Sequence, residues 1–141
     1  MAALLHLAVR ILHVLGMVAL LGGAAAVWYA LRAGVGRPAS LAVAYEWLFW
    51  VAIGVMVATG VGNLGAVGAP GPATRWGRVL TGKLLVVTAL VAGSFVRTAA
   101  VQRIRERDAD TTDRATLRRA YGATAGVLGV VVALAEVLAH G

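Results

Sequence analysis

Four apolar stretches, each long enough to cross a lipid bilayer, constrain this chain more than any other feature. A spanning helix needs about 20 apolar residues to cover ~30 Å of hydrocarbon. The stretches lie at about 4–31, 47–67, 79–102 and 117–139, and residues 14–31 form an uninterrupted apolar run. In hydrocarbon the backbone must satisfy its own hydrogen bonds, so such stretches become helices. Short connections then make neighbouring helices antiparallel. The expected fold is all-α, an integral membrane antiparallel four-helix bundle occupying residues 1–141 as one domain. Composition agrees: 60% of residues are hydrophobic and 13% charged, with a mean hydropathy of +0.84. That leaves too little polar surface for a soluble domain. Glycine recurs inside all four stretches, which suits close helix approach in lipid. The run Gly60-Val61-Gly62-Asn63-Leu64-Gly65 is such a surface, since it lies inside an apolar stretch and not in the strand–turn–helix setting of a dinucleotide loop.

Charge sets the expected orientation. The connections after the first and third stretches share a side and hold nine basic residues: Arg32, Arg37, Arg97, Arg103, Arg105, Arg107, Arg114, Arg118 and Arg119. The opposite side has Arg75 and Arg78, with Arg10 and Lys83 near it. By the positive-inside rule the first group is cytoplasmic. The chain then reads as a multi-pass protein of the cell membrane with both termini extracytoplasmic. The net charge of +7 is therefore read as orienting helices and meeting anionic lipid, and nucleic acid is not an expected partner. Tyr45, Trp47 and Trp50 fall at the inner aromatic belt and Trp76 at the outer one. The connection near Pro70, Gly71 and Pro72 is a non-helical turn, and a second turn is expected near 110–113. The first nine residues carry no Lys or Arg and the apolar run exceeds that of a signal peptide, so an uncleaved first helix is expected.

Polar residues inside spans need a reason. They are His6, Arg10, His13, Asn63, Lys83, Glu136 and His140. At ~1.5 Å per residue, His13 lies about 28 Å from Arg32, Asn63 about 24 Å from Trp47, Lys83 about 21 Å from Arg97 and Glu136 about 25 Å from Arg119. Each helix thus places a polar group in the outer part of the membrane. His6, Arg10, His13 and Met17 follow spacings of four, three and four, so they share one stripe, expected to face the bundle. Bland roles compete with functional ones. Arg10 and Lys83 can snorkel to headgroups, Asn63 can bond between helices, and Met17 and Met56 can simply pack. His13, deepest of the histidines and without a polar flank, is the least easily explained that way.

Imidazole suits copper, zinc and heme iron, and thioether favours Cu(I). His6 and His13 are about 10.5 Å apart along the helix, too far to ligate one ion together easily. Two designs remain open. One is a heme b with His13 as axial ligand and Arg10 or Lys83 beside a propionate. The other is a cation site or path using His13, Met17, Glu136 and His6 or His140. No cysteine is present, which excludes disulfides and thiolate chemistry. No nucleophile–base arrangement, phosphate loop or carboxylate pair supports a hydrolase or kinase.

The segment Ile11-Leu12-His13-Val14-Leu15-Gly16-Met17, with Gly22-Gly23 and Trp28, resembles the first helix of the copper-resistance D-like membrane domain. So do Trp50 to Thr59-Gly60 in the second helix, Gly82-Lys83-Leu84-Leu85 opening the third, and Leu117-Arg118-Arg119 leading into the fourth. The domain looks related to the membrane-bound J-type protoporphyrinogen oxidases, which bind heme and use a histidine in the first helix and a lysine opening the third. The resemblance implies His13 and Lys83 as site residues. It implies a copper-linked transport or resistance component, with a heme b-binding redox protein and a structural or accessory membrane subunit as alternatives. Expected partners are the lipid bilayer, a metal ion or heme, and a homo-oligomer or larger membrane complex.

Overall fold

The computed structural model describes residues 2–34, 38–67, 71, 73–105 and 111–140, and within them all side chains except those of 2, 38, 39, 63, 64, 66, 67, 111 and 112. The described chain is four helices: α1 (Ala2–Ala33), α2 (Pro38–Val67), α3 (Arg75–Arg105) and α4 (Thr111–His140). All four are long and apolar enough to cross a membrane. They extend past the apolar stretches because each carries a polar turn or two beyond the hydrocarbon. The extension matters most in α2. It begins at Pro38, where the missing N–H and fixed φ suit a first helical turn, so Tyr45 and Glu46 are helical and not part of a connection. Of the expected turn near 110–113, residue 110 lies outside the described residues.

Local chemistry explains the helix ends. After α1 the chain turns at Gly34, whose φ of +69° is the left-handed conformation glycine adopts at little cost. Before α3, Thr74 accepts from the Gly77 N–H at 3.0 Å, an N-cap that satisfies one of the helix's orphan donors. The Trp76 indole N–H donates to the Leu138 carbonyl at 3.2 Å and pins the start of α3 to the last turns of α4. Asp113 sits in the first turn of α4, where a negative charge meets the positive end of the helix dipole.

The helices pack in a ring, α1 on α2, α2 on α3, α3 on α4, and α4 back on α1, with the α2–α3 seam the sparsest. The core is confined to one half of the bundle. Leu20, Ala24, Val27 and Leu31 of α1 meet Ala42, Tyr45, Phe49 and Ala52 of α2, Val101 and Ile104 of α3, and Leu117, Tyr121 and Leu128 of α4. This is the half toward Arg32, Arg103, Arg105, Arg114 and Arg118, called here the basic end. Toward the far end, no described residue of α1 before Leu20 or of α4 after Val131 is buried.

Candidate functional site

Two polar constellations stand in the bundle, at different depths. The deeper toward the basic end is an ion pair across the sparse α2–α3 seam. The Arg97 guanidinium donates Nε–H to Glu46 Oε1 at 2.7 Å and Nη2–H to Glu46 Oε2 at 3.2 Å. Its Nη1–H goes to the Thr124 hydroxyl of α4 at 2.7 Å. Glu46 also accepts from Tyr121 at 2.7 Å and from the Thr98 hydroxyl. The guanidinium carbon stacks 4.5 Å from the Phe49 ring centroid and 5.5 and 5.4 Å from those of Tyr45 and Tyr121. Both charged residues are 5% exposed. Every polar partner is supplied by protein, as a buried charge in a low dielectric requires. No buried side-chain nitrogen or oxygen among the described residues lacks a hydrogen bond.

The second constellation is centred on His13, where the packed half gives way to the looser far half. His13 Nδ1 lies 2.8 Å from the Thr59 hydroxyl of α2. That hydroxyl has one proton, donated to the Val55 carbonyl one turn back at 2.7 Å, so toward the imidazole its oxygen accepts. The tautomer that fits this bond has its proton on Nδ1 and a lone pair on Nε2. This is the arrangement in which a metal-ligating histidine is held by an outer hydrogen bond. Two thioethers lie one turn deeper. Met17 packs against the core, and Met56 is buried, with its sulfur so close to Gly16 that a Cβ there would sit 2.9 Å from it. His13 in turn faces Gly60, where a Cβ would lie 3.7 Å from Cε1. Small residues on the α1–α2 seam thus let the imidazole and a sulfur sit between the two backbones.

The other residues singled out by sequence are distributed differently. Lys83 is half-buried on α3. His6 and Arg10 are exposed, so the stripe on α1 turns into the bundle only at His13 and Met17. The reason is that α1 has almost nothing packed against it near its start. Glu136 is exposed and pairs with His140 at 3.1 Å. The Asn63 side chain lies outside the described residues. Among the described residues no three His, Cys, Asp or Glu side chains stand together as a metal-binding group.

Sequence reasoning passed over Glu46 and counted Arg97 among solvated basic residues; the structure buries both. Two signals pointed to them. Glu46 is the sole acidic residue before Glu106. Arg97 falls in register with Leu90, Ser94, Val101 and Ile104, which are the buried face of α3. A guanidinium on that stripe faces the other helices.

A family model described as copper resistance protein D matches residues 39–138. The match takes in α2, α3 and α4, more than half of the chain, and begins after α1 and His13. No curated protein matches the chain, and no solved structure does.

Proposed function

The chain belongs to the copper resistance protein D family, and from that premise we propose that it is a copper-linked membrane component, of transport or resistance, that takes up Cu(I) at His13 from the extracytoplasmic side. One observation carries this reading. The Thr59 hydroxyl, already donating to Val55, leaves the His13 Nε2 lone pair free. The thioethers of Met17 and Met56 one turn deeper supply the soft donors that Cu(I) prefers. His6 and Glu136 would serve at most as outer capture points, since both lie exposed nearer the helix ends.

Below that site the packed half closes the bundle. There the Glu46–Arg97 pair and the rings of Tyr45, Phe49 and Tyr121 around it fill the space between the helices. The carboxylate is already engaged by Arg97, Tyr121 and Thr98, so it is not free to receive a cation moving toward the basic end. The proposed state is therefore open to copper from the far side and shut at the basic end. Onward passage would require the Glu46–Arg97 pair to rearrange.

The test is a Cu(I) competition titration of the purified, reduced protein, with an absorption spectrum recorded alongside. Wild type should bind copper and show no Soret band. His13→Ala should lose that binding, whereas His6→Ala and His140→Ala should retain it, because water replaces a shallow ligand easily. Thr59→Val should weaken binding by about 10–100-fold, the usual effect of removing an outer hydrogen bond from a ligating histidine. Copper bound equally well by His13→Ala would sink the reading, and a Soret band would replace copper with heme.

A further inference from the structure

On the outer surface of the sparse α2–α3 seam lies a groove of about 300 Å³, at the lower end of the size of small-ligand sites. The mechanism proposed for His13 does not use it. Its walls change character along their length. Because α2 and α3 run antiparallel, Val43 lies toward the basic end beside Gln102 and Arg105, and Trp50 and Val51 lie deepest beside Thr98. From Val43 to Val51 the groove reaches about 12 Å into the membrane. The mouth is polar and cationic and the floor is apolar.

The floor is rigid. The Trp50 indole N–H donates to Thr98 at 3.1 Å, its ring packs on Phe95 at 4.5 Å between centroids, and Glu46 at the back wall is neutralised by Arg97. At the mouth, Arg105 is exposed and forms no ion pair among the described residues. Trp47, 76% exposed, flanks the groove at the depth where indoles meet headgroups.

We propose that this groove is a binding site for an anionic phospholipid of the leaflet at the basic end, with one acyl chain along the Trp47–Trp50–Val51 floor and the phosphate on Arg105. Charge decides the class of occupant. A groove graded from cationic mouth to apolar floor, parallel to the membrane normal, matches a molecule with an anionic head and a hydrocarbon tail. Basic pockets between spanning helices bind such headgroups. A bound chain would fill the seam where α2 and α3 touch least and brace the Glu46–Arg97 bridge from the lipid side.

The experiment is native mass spectrometry of the full chain released from membranes containing phosphatidylglycerol and phosphatidylcholine in equal amounts. Wild type should retain phosphatidylglycerol over phosphatidylcholine. Arg105→Gln should cut that retention about fivefold, the effect of one basic side chain at an anionic surface, and Val51→Phe should expel the lipid by filling the floor. Arg78→Gln, also an exposed charge but at the other end of α3, should change nothing. Equal retention of the two lipids, or equal losses in Arg105→Gln and Arg78→Gln, would overturn the proposal. So would a disulfide between two Trp47→Cys copies in membranes, which would seat a second copy on the groove.

Discussion

At the residue scale, one buried ion pair decides most of the chemistry of the basic half. Glu46 and Arg97 are 51 residues apart, and neither can be removed alone without leaving its partner charged in a low dielectric. Glu46→Leu or Arg97→Met alone should destabilise the protein by about 3–5 kcal/mol. The double variant Glu46→Leu/Arg97→Met should recover much of that loss, because an apolar pair needs no desolvation. Reversible unfolding in detergent, arranged as a double-mutant cycle, measures the coupling. Additive losses would mean the pair is not a unit. His13 is the opposite case. Its hydroxyl partner leaves one ring nitrogen unused, so its substitution should be read in bound copper and not in stability.

At the element scale, the α1–α2 seam is set by glycines. A Cβ on Gly23 would lie 2.7 Å from the Tyr45 ring. That ring cannot yield, because its hydroxyl donates to the Leu20 carbonyl at 2.9 Å and it packs edge-on against Tyr121. Gly23→Ala should therefore destabilise by about 1–3 kcal/mol, as overpacking does. Gly54→Ala, with nothing within 4 Å, should be neutral or slightly stabilising through the unfolded state. Thermal unfolding of the two variants checks the contrast. Gly16→Ala differs again, since its close contacts are with the Met56 Sδ and Cγ and not with backbone or a fixed ring. Its expected effect is to push that sulfur away from its place below His13 and weaken copper binding while the fold persists.

At the scale of the whole molecule, the asymmetry of charge survives the correction at Arg97. Removing that buried residue from the count leaves the basic end with Arg32, Arg103, Arg105, Arg114, Arg118 and Arg119 among described positions, against Arg75 and Arg78 at the turn between α2 and α3. By the positive-inside rule we propose that this basic end is cytoplasmic. A cysteine placed at Ala73, exposed in that turn, should react with a membrane-impermeant maleimide added outside intact cells. Labelling only after the cytoplasm is opened would reverse the assignment and put His13 on the inner side. On the proposed reading the two halves of the bundle have separate duties: the packed basic half holds the helices in register, and the looser far half would give a ligand access to His13.

The number of spans, their helical form and the segregation of charge to one end were legible in the amino-acid order. Each depends only on local run length and on the need for a backbone in lipid to satisfy itself. The place of His13 along α1, about two turns before its first described buried residue, Leu20, follows from a fixed rise per residue along a helix. Which faces meet was decided by the tertiary structure. Helices apolar on nearly every side carry no strong stripe to mark the inward face, so rotation about each axis is chosen by packing of small residues and by polar partners from other helices. That choice turned Glu46 toward Arg97 and set Thr59 against His13. No spacing within a single helix encodes which residue of another helix will stand opposite.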